Sequence, residues 1–206
     1  MFEKPALSRV LLVSLLCLGA CVSVPGCSIM RGGGGSRIAT QASHDGTGAE
    51  LPLNALRGVF VPGQAAIADA YLTDLPPAAL EGSIDLSQVQ GVLVHAHVLT
   101  QPKAGRTPIA TSATTASVRL IIVSNGQAGL YAGGGFGDFD VDAKTLTGSL
   151  RGASMRLVRA TKGFQDVLGP SVLTLQVNAK ADEPASMQAN NAITALIDAM
   201  EPVVAE

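Results

Sequence analysis

Tryptophan is absent from this chain, and aromatic residues make up only 3% of it, two Tyr and five Phe. Bases and sugar rings are usually held by stacking on aromatic side chains, so a reader of that kind is not expected. Charge is scarce as well: Asp, Glu, Lys and Arg together reach 15%, and the formal net charge is −2. Phosphate contacts need clustered Lys and Arg, and no long basic run occurs, which argues against nucleic acid as a partner. Cysteine is confined to Cys17, Cys21 and Cys27. The rest of the chain therefore has no disulfide and no cysteine nucleophile, and its stability must come from packing. Long hydrophobic runs are missing too. Even stretched over residues 10–24, the apolar segment near the start falls short of the ~20 residues that span a bilayer as a helix.

What is present begins with that segment. Lys4 and Arg9 outweigh Glu3, an apolar run follows over residues 10–18, and small residues close it. A charged start, a short apolar middle and a small-residue exit make a secretory signal, which is set aside in reasoning about the fold. Its exit, Leu18-Gly19-Ala20-Cys21, resembles the lipobox of bacterial lipoproteins, position by position. That resemblance implies cleavage before Cys21 and a covalent lipid on its thiol, so the partner is a membrane reached through a lipid anchor. A second candidate is Cys27 in Val24-Pro25-Gly26-Cys27, although Pro25 is awkward beside a scissile bond and the apolar run has already ended. The implied location is the bacterial cell membrane or outer membrane, with the domain in the periplasm or at the cell surface.

Three regions follow from composition: a signal peptide over 1–20, a Gly/Ser-rich tether over 21–50, and one β-rich domain over 51–206. The tether contains Arg31-Gly-Gly-Gly-Gly-Ser36 and shows no apolar period; as flexible coil its residues 28–50 would reach ~25–30 Å. Beyond it the pattern has period two. Val92, Val94, Ala96 and Val98 share one face, and Leu93, His95, His97 and Leu99 share the other, the signature of a strand. Asn125-Gly126 accepts positive φ at both central positions of a hairpin turn. Further strands are expected over 57–61, 67–72, 116–124, 127–132, 136–141, 145–150, 153–160 and 172–179, with one helical turn at 78–81. The fold class is mainly β, an antiparallel sandwich or small barrel of many short strands. At the C-terminus Ile193, Leu196, Ile197 and Met200 switch to the i, i+3, i+4, i+7 spacing of an amphipathic helix, expected over 185–201. Its polar face has no cations, so it should pack on the sheet and not on a membrane.

The sharpest chemical candidate is His95-Ala96-His97. Alternate strand positions send both imidazoles the same way, about 6.5–7 Å apart at the backbone, which lets them share one metal. A third ligand is not visible in the sequence: Gln101 stands where an acid would be wanted, and His44 lies in the tether. The competing reading is two histidines on a half-exposed strand. Asp138, Asp140 and Asp142 have the spacing that opens a calcium loop, but Ala143 replaces the required Gly and Ser149 the closing Glu, so a polar strand face is expected. The basic set Arg151, Arg156, Arg159 and Lys162 is expected on a solvated strand that pairs with the Asp-rich one across the sheet. Gly133-Gly-Gly-Phe-Gly137 lacks the Gly-Lys-Ser/Thr ending of a phosphate loop and should bend a strand. A Ser–His–Asp triad assembled from distant loops stays open. The leading expectation is a lipid-anchored envelope protein whose β domain binds an unknown envelope partner or has a structural role, without catalysis. No cofactor is expected beyond the lipid on Cys21. The alternative is a metal-binding or metal-dependent module using His95 and His97.

Overall fold

Alternation is what shapes this domain: every second side chain from Val92 to Val98 is buried inside, and the residues between them face outward. The structure is a computed structural model, and it describes residues 35–41, 48–62, 67–82, 89–99 and 116–203. The leader, Cys21, Cys27, His44 and Gln101 lie outside the described residues.

The elements in chain order are β1 (Ser36–Thr40), β2 (Glu50–Leu53), β3 (Arg57–Pro62), β4 (Ile67–Thr73), α1 (Pro77–Leu80), β5 (Gly91–Leu99), β6 (Ala116–Ser124), β7 (Gln127–Val141), β8 (Thr145–Ala160), β9 (Ser171–Ala181), α2 (Glu183–Asp198) and β10 (Glu201–Pro202). From β3 to β9 each strand pairs antiparallel with the next. β9 then returns to β3, Gly58 opposite Ala179 and Phe60 opposite Ala181, and this pair is parallel. The pairings thus run round a closed ring, a barrel, which leaves no edge between β3 and β9. An up-and-down meander with an odd number of strands can close in no other way, because its first and last strands point in the same direction. The parallel contact departs from the purely antiparallel arrangement expected from the short turns. β1 extends the sheet from the first half of β9, and β2 pairs with β1.

Two apolar clusters result. Phe60, Leu72, Val94, Leu120, Tyr131 and Leu173 fill the barrel. Outside it, Leu93, Ile121 and Leu130 lie under Ile193, Leu196 and Met200. Covering a Leu or Ile side chain in this way contributes about 1.5–3 kcal/mol, so α2 is held by packing more than by propensity. Asp182 starts α2 by accepting the Ala185 N–H at 3.0 Å, with Pro184 in the first turn. At the other end the Arg159 guanidinium donates to the Ile197 carbonyl at 3.0 Å, placing a cation where the helix dipole favours one. The helix ends at Asp198, so Met200 is buried beyond it and Pro202 belongs to β10.

Several expectations are corrected here. The 21–50 tether is too long: β1 lies within it with Ile38 fully buried, and the compact unit starts at Gly34. Lack of apolar period concealed this strand, because a single buried side chain anchors it. The segments expected as four strands over 127–132, 136–141, 145–150 and 153–160 form only two, β7 and β8. Glycine bends β8 without breaking it. Gly152 adopts φ +68°, and the register shifts between Leu150 and Ala153, so both of those residues face inward, as a β-bulge allows. The strand that carries Arg151, Arg156 and Arg159 does pair with the Asp-rich one, β8 with β7, but the register sets no Arg directly opposite an Asp. Asp138 lies opposite Ser149 and Asp140 opposite Thr147, whereas Arg151, Arg156 and Arg159 lie opposite Phe136, Ala132 and Leu130.

Candidate functional site

Because Ala68, Ala70 and Leu72 point into the barrel, Asp69 and Tyr71 stand on the outer wall of β4. On β5 the same alternation puts His95 and His97 outside. Register then joins them: Asp69 pairs with His97, and Tyr71 with His95. His95 donates from Nε2 to Asp69 Oδ1 at 2.8 Å, and His97 donates from Nδ1 to the same oxygen at 2.9 Å. The Tyr71 ring stacks on His95, with centroids 4.8 Å apart and planes 11° from parallel. The Tyr71 hydroxyl reaches the Asn190 side-chain oxygen on α2 at 3.4 Å. β6 sets Arg119 opposite His95 and Ser117 opposite His97. The result is a half-open polar cluster beside α2, with 16% of the His95 side chain exposed, 40% of His97 and 35% of Asp69.

The electrostatics follow from this geometry. Burial alone would push the Asp69 carboxyl up, but hydrogen bonds from His97 and His95 outweigh it and hold the group below its ordinary 3.8. Burial likewise pushes His95 below 6.5, against the pull of Asp69. Both shifts act in the same direction on stability. The folded chain resists protonating His95, so below about pH 6.5 the unfolded chain binds more protons and stability falls. Below 3.8 Asp69 adds a second loss of the same sign. Urea midpoints should therefore decline from pH 7 to pH 5 and again toward pH 3, and Asp69→Asn should flatten the lower limb. A midpoint unchanged between pH 7 and pH 5 would contradict the burial of a neutral His95.

Asp69 is the residue that reading the sequence missed. It lies 26 positions before its nearer partner, His95, and only the β4–β5 register reveals the pairing. Among the described residues no group of three or more His, Cys, Asp or Glu is posed to hold a metal ion. The two imidazoles do converge, but the Asp69 oxygen lies at the point where they meet.

The remaining candidates have structural roles or lie apart. Asp142 accepts the Lys144 and Thr145 N–H groups at 2.7 Å each and the Thr145 hydroxyl at 2.8 Å. It closes the β7–β8 turn, and these bonds, the Lys144 N–H first, hold its carboxyl below the ordinary value. Asp138 and Asp140 sit on β7 and not in a loop. Asn125 and Gly126 take φ +52° and +75°, the hairpin turn expected of Asn-Gly. Next to that hairpin, a cleft of about 450 Å³ opens at the barrel mouth between Leu51, Ile122, Tyr131, Phe164 and Leu168. The Tyr131 hydroxyl donates to Asp166, which also accepts the Leu168 and Gly169 N–H groups. The chain matches no protein-family model, and no curated protein or solved structure matches it.

Proposed function

We propose that this protein is a bacterial cell-envelope lipoprotein, anchored by lipid on Cys21, whose β domain binds an envelope partner or has a structural role. The observation that carries this reading is Leu18-Gly19-Ala20-Cys21 directly behind an apolar run with a positive start. Small residues let a peptidase approach the backbone, and the thiol is the nucleophile that accepts the acyl-bearing glyceryl group. The arrangement of the domain suits such an anchor. Its compact unit begins at Gly34, after Cys21 in the chain. Among the described residues no helix is long and apolar enough to cross a membrane. The cleft at the barrel mouth suits a binding role, since barrel mouths are a common place for ligand pockets of ~300–1,000 Å³.

Expressing the chain in a bacterium with and without Cys21→Ser tests the anchor. The parent protein should partition into detergent and carry the mass of a lipidated cysteine at its new N-terminus. Cys21→Ser should abolish the lipid mass and leave the leader uncut at that site, and Cys27→Ser should change neither the lipid mass nor the cleavage. Loss of lipid in Cys27→Ser alone would transfer the anchor to Cys27. An unlipidated parent would end the proposal.

A further inference from the structure

We propose that Asp69, His95 and His97 form a binding site for one divalent transition-metal ion, with zinc as the ion to test. The site rests on the barrel wall and not on the lipid anchor, so the two proposals stand or fall separately. His95 Nε2 and His97 Nδ1, from alternate positions of one strand, both aim at a single point 2.8 and 2.9 Å away. Two converging imidazoles are the larger part of a zinc ligand set, and imidazole suits zinc, copper and nickel. That point is filled by the Asp69 oxygen, and among the described residues no three ligands surround an open centre.

Converting the hydrogen-bonded cluster to a metal site takes small movements. Zinc–nitrogen bonds run about 2.0–2.1 Å, so each imidazole would close on the ion by roughly 0.7–0.9 Å. The carboxylate would withdraw by about 2 Å to become the third, oxygen ligand, giving up its hydrogen bonds to the two imidazoles, and its side chain is 35% exposed. The ion takes the lone pairs at His95 Nε2 and His97 Nδ1, and the ring protons pass through water to His95 Nδ1 and His97 Nε2. No net proton is released, and water completes the coordination. Stacking on Tyr71 keeps the His95 ring oriented whether or not the ion is bound. Arg119, opposite His95, repels the cation and lowers the affinity. The carboxylate is what offsets that repulsion.

Equilibrium dialysis of the full-length protein in detergent against zinc at pH 7.5 tests the site. One zinc per chain is expected with half-saturation at low micromolar concentration. His97→Ala should weaken binding at least tenfold and Asp69→Asn about tenfold, with Asp142→Asn unchanged. Zinc held instead by Cys27 or His44 would survive His97→Ala, and that result overturns the proposal. So does the absence of binding below 1 mM zinc. If His97→Ala fails to fold, the parent protein still decides: zinc must shift the ring resonances of both His95 and His97, and rings left unmoved refute the site.

Discussion

Replacing Gly133 by alanine is expected to cost about 4 kcal/mol or more, between roughly a quarter and four fifths of the usual ~5–15 kcal/mol total stability. The reason is one methyl group. A Cβ built on Gly133 lies 1.8 Å from the Ser154 carbonyl oxygen and 3.1 Å from the Met155 Cα. Those are backbone atoms of β8, which pairs with β7 on one side and β9 on the other. β8 therefore cannot retreat without breaking one ladder or the other, and overpacking of this kind has no flexible side chain to absorb it. Thermal melts and soluble yield check the expectation. Gly35→Ala is the matched control, since nothing lies within 4 Å of a Cβ there, and it should melt within about 1 °C of the parent. A Gly133→Ala protein that melted normally would mean that β7 and β8 are farther apart than described.

Phe60→Ala should have the next largest effect, about 3–5 kcal/mol, seen as a fall of roughly 10–15 °C in Tm. Phe60 is fully buried in the barrel. It sits on β3 where the ring closes in parallel against Ala181, and its carbonyl accepts the Asp182 N–H at 3.2 Å, just before α2. Truncating it leaves a cavity at the seam where closure and helix meet, and alanines such as Ala68, Ala70 and Ala179 around it have no length to fill the gap. Leu99→Ala, by contrast, removes a side chain that is 45% exposed and should cost less than about 1 kcal/mol. Similar losses for the two would show that the interior near Phe60 relaxes instead of retaining a void.

Strand positions were largely legible because alternation depends only on neighbours in sequence. Val92 to Val98 is the clearest case, and the Asn125-Gly126 turn has a local steric cause. Where a single residue carried the information, the reading failed. Ile38 anchors β1 in a stretch that otherwise reads as linker, and the bulge at Gly152 rejoins what looked like two strands. The site was half legible for the same reason. His95 and His97 share a face by period alone, whereas Asp69 joins them through a register that no local pattern encodes. The Asp-rich and Arg-rich strands do pair as their patterns suggest, but only the register decides that Asp138 and Asp140 stand opposite Ser149 and Thr147.

By itself, the order of residues determined a mainly β domain with one C-terminal amphipathic helix and an outward pair of imidazoles. Each of these needs only the chain's local geometry and the preference of apolar groups for the interior. Folding in three dimensions decided the closure of β3 on β9, the parallel sense of that seam, and the meeting of Asp69 with both histidines. Those outcomes depend on how far each strand slides along its neighbour. That offset is set by the packing of Phe60, Tyr131 and the other interior side chains all at once, so no short stretch of sequence contains it.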